Sequence, residues 1–410
     1  MARMLCVLFM IFVHVPDGLS SAVHYTLGDG GFAFFLEGFL VEGPGRASAA
    51  LLSVVSGYLA ATTLLKPGSS VWLLYRRRFV SIIVPMIIWA IATYLIYLAA
   101  SRFRPTFLDD AQTLLDHLNF ILFLTAMPDG ATMHLGFLRD LFVCVLLSPL
   151  LLPAVQRMAW LVLPLLGLLY LFEHDQSTVV ILRPLVLFAF CIGIYLAVRK
   201  VSLNSLDRFW PLFLGLSVVA TMAILLVNSG AARNMVELFA ARDMEFDEVV
   251  LYPIGRLFGS LAIWTLIPML LGGRLQAWTE RFTPYLFAAF CSHYLMLTMV
   301  FHALWSPSLG GRESTVFVVW FLAAPLLSMA IAVLIVNLTL HVYAPLATLL
   351  TGGRMSAASS LKPIAERRRQ GLALGVWLGI ARLYDLLTRP VILLLRTWFE
   401  ASRRLLLGRR

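Results

Sequence analysis

Stretches of about twenty mostly apolar residues recur along this chain, and they leave it few ways to fold. Ten are read, over 3–22, 45–64, 79–100, 135–155, 158–172, 178–198, 209–228, 250–271, 284–304 and 316–340. The first is short as an uninterrupted apolar run. The fifth is also short and is a re-entrant candidate. Residues 31–41 read as a half-span or an interfacial helix. The chain is 60% hydrophobic and 13% charged, whereas soluble domains run at about 45–50% apolar and about 25% charged. The expectation is an all-α polytopic membrane protein with about ten transmembrane helices, plus a C-terminal basic amphipathic helix. It divides into a transmembrane domain over 1–350 and a cytoplasmic basic tail over 351–410.

Lys and Arg in the connecting segments set the orientation. With the N-terminus in the cytoplasm, Lys66, Arg76, Arg77, Arg78, Arg157, Arg199, Lys200, Arg208, Arg274, Arg281 and the tail fall on the cytoplasmic side. Arg46, Arg102, Arg104, Arg233, Arg242 and Arg312 fall on the other. Both termini are then cytoplasmic, and the expected location is a bacterial cytoplasmic (inner) membrane. Residues 361–410 hold eleven Lys or Arg against three acids, a net of +8 out of the chain's +10. Arg382, Arg389, Arg396, Arg403 and Arg410 recur every seven residues and form a slowly drifting basic stripe. That pattern suits an interfacial helix on anionic lipid, with Pro390 kinking it. A nucleic-acid partner is not expected.

An ionisable side chain within an apolar span is costly, and its default reading is functional. His14 sits in such a place, in MARMLCVLFMIFVHVPDG. Arg3 precedes it by eleven residues, which on a helix is about 20° past three turns and about 16 Å along the axis. The two therefore share a face. A secretory signal has a similar outline, with small residues up to Ala22, and its cleavage would discard His14.

Five further features stand out. Ser56-Gly57 in SVVSGYLA allows close helix approach. Arg76, Arg77 and Arg78 stand at the mouth of the third span, where topogenic charge is the plainer reading. HLGFLRDLFV carries His134 and adjacent Arg139-Asp140; neighbours on a helix do not face each other, so each is expected to need its own partner. Arg183-Pro184 and Arg256 near span ends read as snorkelling. FAAFCSHYLMLT buries Ser292-His293. Cys6, Cys144, Cys191 and Cys291 lack metal-ligand spacing and read as apolar filler; no metal site is expected. No P-loop, GxSxG, HExxH or Rossmann glycine pattern is present.

The order of these motifs resembles the membrane acyltransferase 3 family: Arg3-x10-His14, then SGYL, the arginine run leading to Pro85, HLGFLRDLFVCVLLSP and FCSHYLML. The resemblance covers about residues 1–340. Gly136 stands where the family usually has Trp, and Ser81 where it often has a second arginine. The resemblance implies O-acylation of a glycan or lipid-linked sugar hydroxyl. Acyl-CoA would be the donor substrate, with no tightly bound cofactor. His14 would be general base, and Arg3, Arg76, Arg77 and Arg78 would hold the CoA phosphates. Ser56, Gly57, Arg139, Asp140 and His293 would shape the site or position substrate. The partners are thus acyl-CoA, a glycan or glycolipid acceptor, and anionic lipid at the tail. The alternatives are a transporter or flippase of a glycan lipid or acidic solute, for which no internal repeat is visible, and a non-catalytic scaffold.

Overall fold

The computed structural model describes residues 1–15, 31–101, 114–123, 132–171, 182–228, 250–270, 273–304 and 315–355, and all the regular structure among them is helical. Among the described residues, six helical runs are long and apolar enough to cross a membrane, by length and composition: Phe35–Leu64, Val71–Ala100, Met133–Leu171, Asn204–Val227, Tyr252–Leu270 and Thr315–Val342. Ala2–Phe12 and Pro184–Val198 are shorter apolar helices. The outward faces are apolar too. Leu212, Val219 and Leu226 form one exposed stripe, and Val319, Leu326, Leu334 and Leu338 another. Stripes of this extent are solvated by lipid rather than water.

Helix α1 (Ala2–Phe12) is the shortened form of the first expected span. It closes in a tighter turn, in which the His14 N–H donates to the Ile11 carbonyl (3.0 Å). Eleven residues rise only about 16 Å, roughly half the hydrocarbon thickness. Residues 16–30 lie outside the described set.

Helices α2 (Gly31–Leu40) and α3 (Arg46–Leu64) are not separate, as the boundaries 31–41 and 45–64 suggested. A π-helical turn, Val41–Gly45, joins them into one run. Pro44 within it has no N–H for the regular ladder, and a widened turn accommodates that loss. The same device recurs between α4 (Val71–Arg78) and α5 (Val84–Ser101). There the π turn Phe79–Ile83 precedes Pro85.

Helix α6 spans Leu114–Leu122. Helix α7 (Gly136–Leu171) is two helices meeting at a break at Met158, whose φ of −132° and ψ of 36° are not helical. The break coincides with the division between 135–155 and 158–172. Helix α8 (Pro184–Val198) crosses α3 with almost no gap. A Cβ on Gly57 would overlap the Phe190 carbonyl, and one on Gly193 would overlap the Val54 carbonyl. The close packing expected at Ser56-Gly57 is therefore carried by Gly57, while Ser56 is only half-buried. The remaining helices are α9 (Trp210–Asn228), α10 (Tyr252–Leu270), α11 (Gly273–Phe282), α12 (Leu286–Leu304), α13 (Thr315–Val342) and α14 (Ala344–Leu350).

The main core gathers α1, α3, α4, α5, α7, α8, α12, α13 and α14, with Met4, Ile11, Tyr75, Phe190, Leu297 and Phe321 among its buried members. All four cysteines are buried and free. Residues 351–355, the start of the segment read as tail, pack into the body through buried Thr351 and Met355. The C-terminal helix expected beyond them lies outside the described residues.

Candidate active site

Three histidines from three elements converge. His14 follows α1, His134 sits in the 3-10 turn Met133–Leu135 before α7, and His293 lies in α12. Their ring centroids are 5.2 Å apart for His14–His293, 6.0 Å for His14–His134 and 4.6 Å for His134–His293. Tyr294 closes one side. It stacks on His134 at 5.7 Å and meets His14 edge-on at 5.8 Å.

Backbone carbonyls fix two of the rings. His293 Nδ1 lies 2.6 Å from the Phe290 carbonyl, and His134 Nε2 lies 3.1 Å from the Cys291 carbonyl. A carbonyl only accepts, so each contacting nitrogen carries the proton. The opposite nitrogens, His293 Nε2 and His134 Nδ1, are left with lone pairs. Both are buried without a partner among the described residues, as is His14 Nδ1. Basic nitrogens thus gather in the membrane body with nothing among the described residues to satisfy them. A group bearing a transferable proton would complete them.

Below the histidines lies a charged triad. Asp140 is fully buried. Its Oδ1 accepts from Arg139 Nη2 at 2.7 Å and Nε at 3.0 Å, and its Oδ2 accepts from Arg183 Nε at 2.6 Å. Arg139 also donates to the Phe123 carbonyl at 2.9 Å. The expectation that adjacent Arg139 and Asp140 need separate partners is overturned. They sit in the first turn of α7, and the long arginine side chain curls back onto its neighbour. Arg183 does not simply snorkel either; it is the second cation of the triad. Its Nη2 remains buried without a partner among the described residues, and its charge reaches His14. Arg46 also acts on His14 and pairs with buried Glu42 at 2.7 Å. Arg256, the other snorkelling candidate, donates to the Tyr170 hydroxyl at 3.2 Å.

The expected donor-binding arginines divide. Arg76 and Arg77 are exposed, whereas Arg78 is half-buried and faces Arg3 closely enough for their charges to interact. Helix α4 is held in place by Tyr75, whose hydroxyl donates to the Leu146 carbonyl at 2.6 Å. Arg3 and His14 stand at opposite ends of α1, as their spacing requires.

The sequence singled out His14, His293, Arg139 and Asp140. It noted His134 without placing it in the site, and met Tyr294 only within FCSHYLML without singling it out. The usable signal was the cost of polar groups in apolar segments: HLGF carries His134, and SHYL carries Ser292, His293 and Tyr294.

The family model described as "Acyltransferase domain" matches residues 1–337. The succinoglycan biosynthesis protein ExoH of Rhizobium meliloti (strain 1021) is 28% identical over 382 residues, covering 91% of this chain and 95% of that protein. No solved structure matches. With the motifs in order and the histidines brought together, the chain belongs to the membrane acyltransferase 3 family.

Proposed function

We propose that this protein is an integral-membrane O-acyltransferase that moves an acetyl or succinyl-like group from acyl-CoA to a hydroxyl of a cell-surface glycan or lipid-linked sugar. The observation that carries the reading is the convergence of three imidazoles in the membrane body, with basic nitrogens that no described residue satisfies. His14 is the general base. It takes the acceptor hydroxyl's proton as the oxygen attacks the thioester carbonyl. The C–S bond then breaks, and the proton passes to the departing thiolate, giving an ester and free CoA thiol. A hydroxyl is a poor nucleophile until its proton is removed, and a positioned imidazole supplies about 10²–10⁴-fold for that step. His134, His293 and Tyr294 shape the cavity around His14. The Arg139–Asp140–Arg183 triad holds the start of α7 beneath them.

Acyl-CoA enters from the cytoplasmic face, with its phosphates on Arg3 and on Arg78 of the arginine run, while the exposed Arg76 and Arg77 add only screened surface charge. A relative named for succinoglycan biosynthesis favours a surface polysaccharide as acceptor. The chain crosses a bacterial inner membrane ten times with both termini cytoplasmic. Its basic tail, beyond the residues 351–355 that pack into the body, lies on anionic lipid. The test uses the purified protein in nanodiscs. Acetyl- or succinyl-CoA should raise the unfolding temperature where the free acid does not. Acceptor glycan should then release CoA thiol. Equal stabilisation by free acid and donor would contradict the reading and point to a transporter.

A further inference from the structure

We infer that Arg354, in the turn after α14, joins Arg3 and Arg78 to form a cationic cradle for the polyphosphate end of the acyl donor. The inference rests on the acyl-CoA reading above. Position 354 lies beyond the residues 1–337 that the family model matches, and it falls at the start of the segment read as tail.

The turn is built to aim this side chain. Gly352 and Gly353 adopt φ values of +61° and +82°, in the left-handed region that disfavours other residues. The Gly353 N–H donates to the Thr348 carbonyl at 2.8 Å and the Gly352 N–H to the Leu349 carbonyl at 2.9 Å, closing α14. Trp89 of α5 donates through its indole N–H to the Leu350 carbonyl at 3.1 Å, tying the turn to the helix that follows the arginine run. A Cβ on Gly352 would overlap both the Ser81 carbonyl and the Arg354 guanidinium. The turn therefore rests directly on the backbone three residues beyond Arg78.

From there Arg354 Nη1 donates to the Thr351 carbonyl at 3.0 Å, and its guanidinium lies over the Phe287 ring at 4.3 Å. Arg3 and Arg78 both act on its charge. None of the three arginines has an acidic partner among the described residues. Burial, then the repulsion from Arg3 and Arg78, pushes the Arg354 guanidinium down to about 10, so it is still charged at neutral pH. Three like charges held together without an acid are the signature of a site that takes an anion.

The direction is right for a long donor. Arg3 begins α1 and His14 follows its end; Phe287 begins α12 and His293 lies six residues on, about 9 Å along the axis. The two helices pack together and run in parallel from the arginines to the histidines. A thioester arm seated at the cradle would run along both of them.

The experiment measures coenzyme A binding calorimetrically in zwitterionic nanodiscs, with the full chain and with Arg354→Gln and Arg354→Lys. Loss of one charge-assisted contact should weaken binding about tenfold in Arg354→Gln, with partial recovery in Arg354→Lys. KM for the acyl donor should rise by about the same factor while kcat stays within about twofold; a merely structural role would lower kcat and the folded fraction instead. Unchanged coenzyme A affinity in folded Arg354→Gln would overturn the inference alone. Wild-type protein that binds no coenzyme A would overturn the donor reading with it. A variant that loses retention of anionic lipid but keeps coenzyme A affinity would assign Arg354 to a lipid headgroup and overturn the proposal.

Discussion

Two arginine clusters in this protein solve opposite problems. Arg139 and Arg183 lie in the helical body with Asp140 between them, and both carboxylate oxygens are occupied. Arg3, Arg78 and Arg354 gather near the start of α1 and have no acid among the described residues. A buried cation without compensation is expensive, so the first cluster contains its own counter-charge and serves as structure. The second leaves its charge open, at a place where Arg3 is exposed and a soluble anion can arrive. The number of arginines does not separate a structural cluster from a receptive one. The presence of the acid does.

Asp140→Asn is the sharpest way to break that contrast. It removes the counter-charge of the buried Arg139 and of the partly exposed Arg183, and should cost about 3 kcal/mol, chiefly through Arg139. The protein would then unfold at much lower temperature in detergent, or fail to accumulate. A variant as stable as wild type would show that the triad is not structural. Gly57→Ala comes next and tests the scaffold under both clusters. It forces α3 away from the Phe190 carbonyl and should cost about 1–3 kcal/mol; an unshifted melting temperature would contradict the close crossing. Arg354→Gln, by contrast, should change stability by about 1 kcal/mol at most, because the cation–π contact it loses is offset by relief of repulsion. Thermal unfolding without donor checks it; a loss as large as that of Asp140→Asn would make the two clusters alike. Smallest of all is Arg77→Gln. This exposed side chain should leave donor affinity within about twofold, while Arg78→Gln weakens it more. Equal effects would return the arginine run to a simple topogenic charge.

Much of the fold was legible because lipid imposes one rule. Apolar runs mark helices, and the break at Met158 falls where the fourth and fifth runs were divided. What the runs do not encode is where a proline is absorbed. Val41–Gly45 looked like a boundary and is a π turn inside one helix. Half of the site was legible for a related reason, since His14 and His293 are conspicuous in apolar surroundings. His134 was harder, because it precedes α7 in a 3-10 turn, where helical spacing says nothing about facing. The Asp140–Arg183 pair spans 43 residues and depends on which helix faces meet, which periodicity within one helix leaves open. Arg354 owes its position to two left-handed glycines and the Ser81 backbone, a tertiary fit with no sequence period.

The central claim is that His14 removes the acceptor proton in an acyl transfer. It is tested most directly in a deletion strain carrying His14→Ala on a plasmid, with mass spectrometry of the surface polysaccharide and immunoblotting of the membrane fraction. The account predicts that the acetyl or succinyl mass is missing while the variant accumulates to the wild-type level. Full acyl content on the polysaccharide of that strain would contradict it.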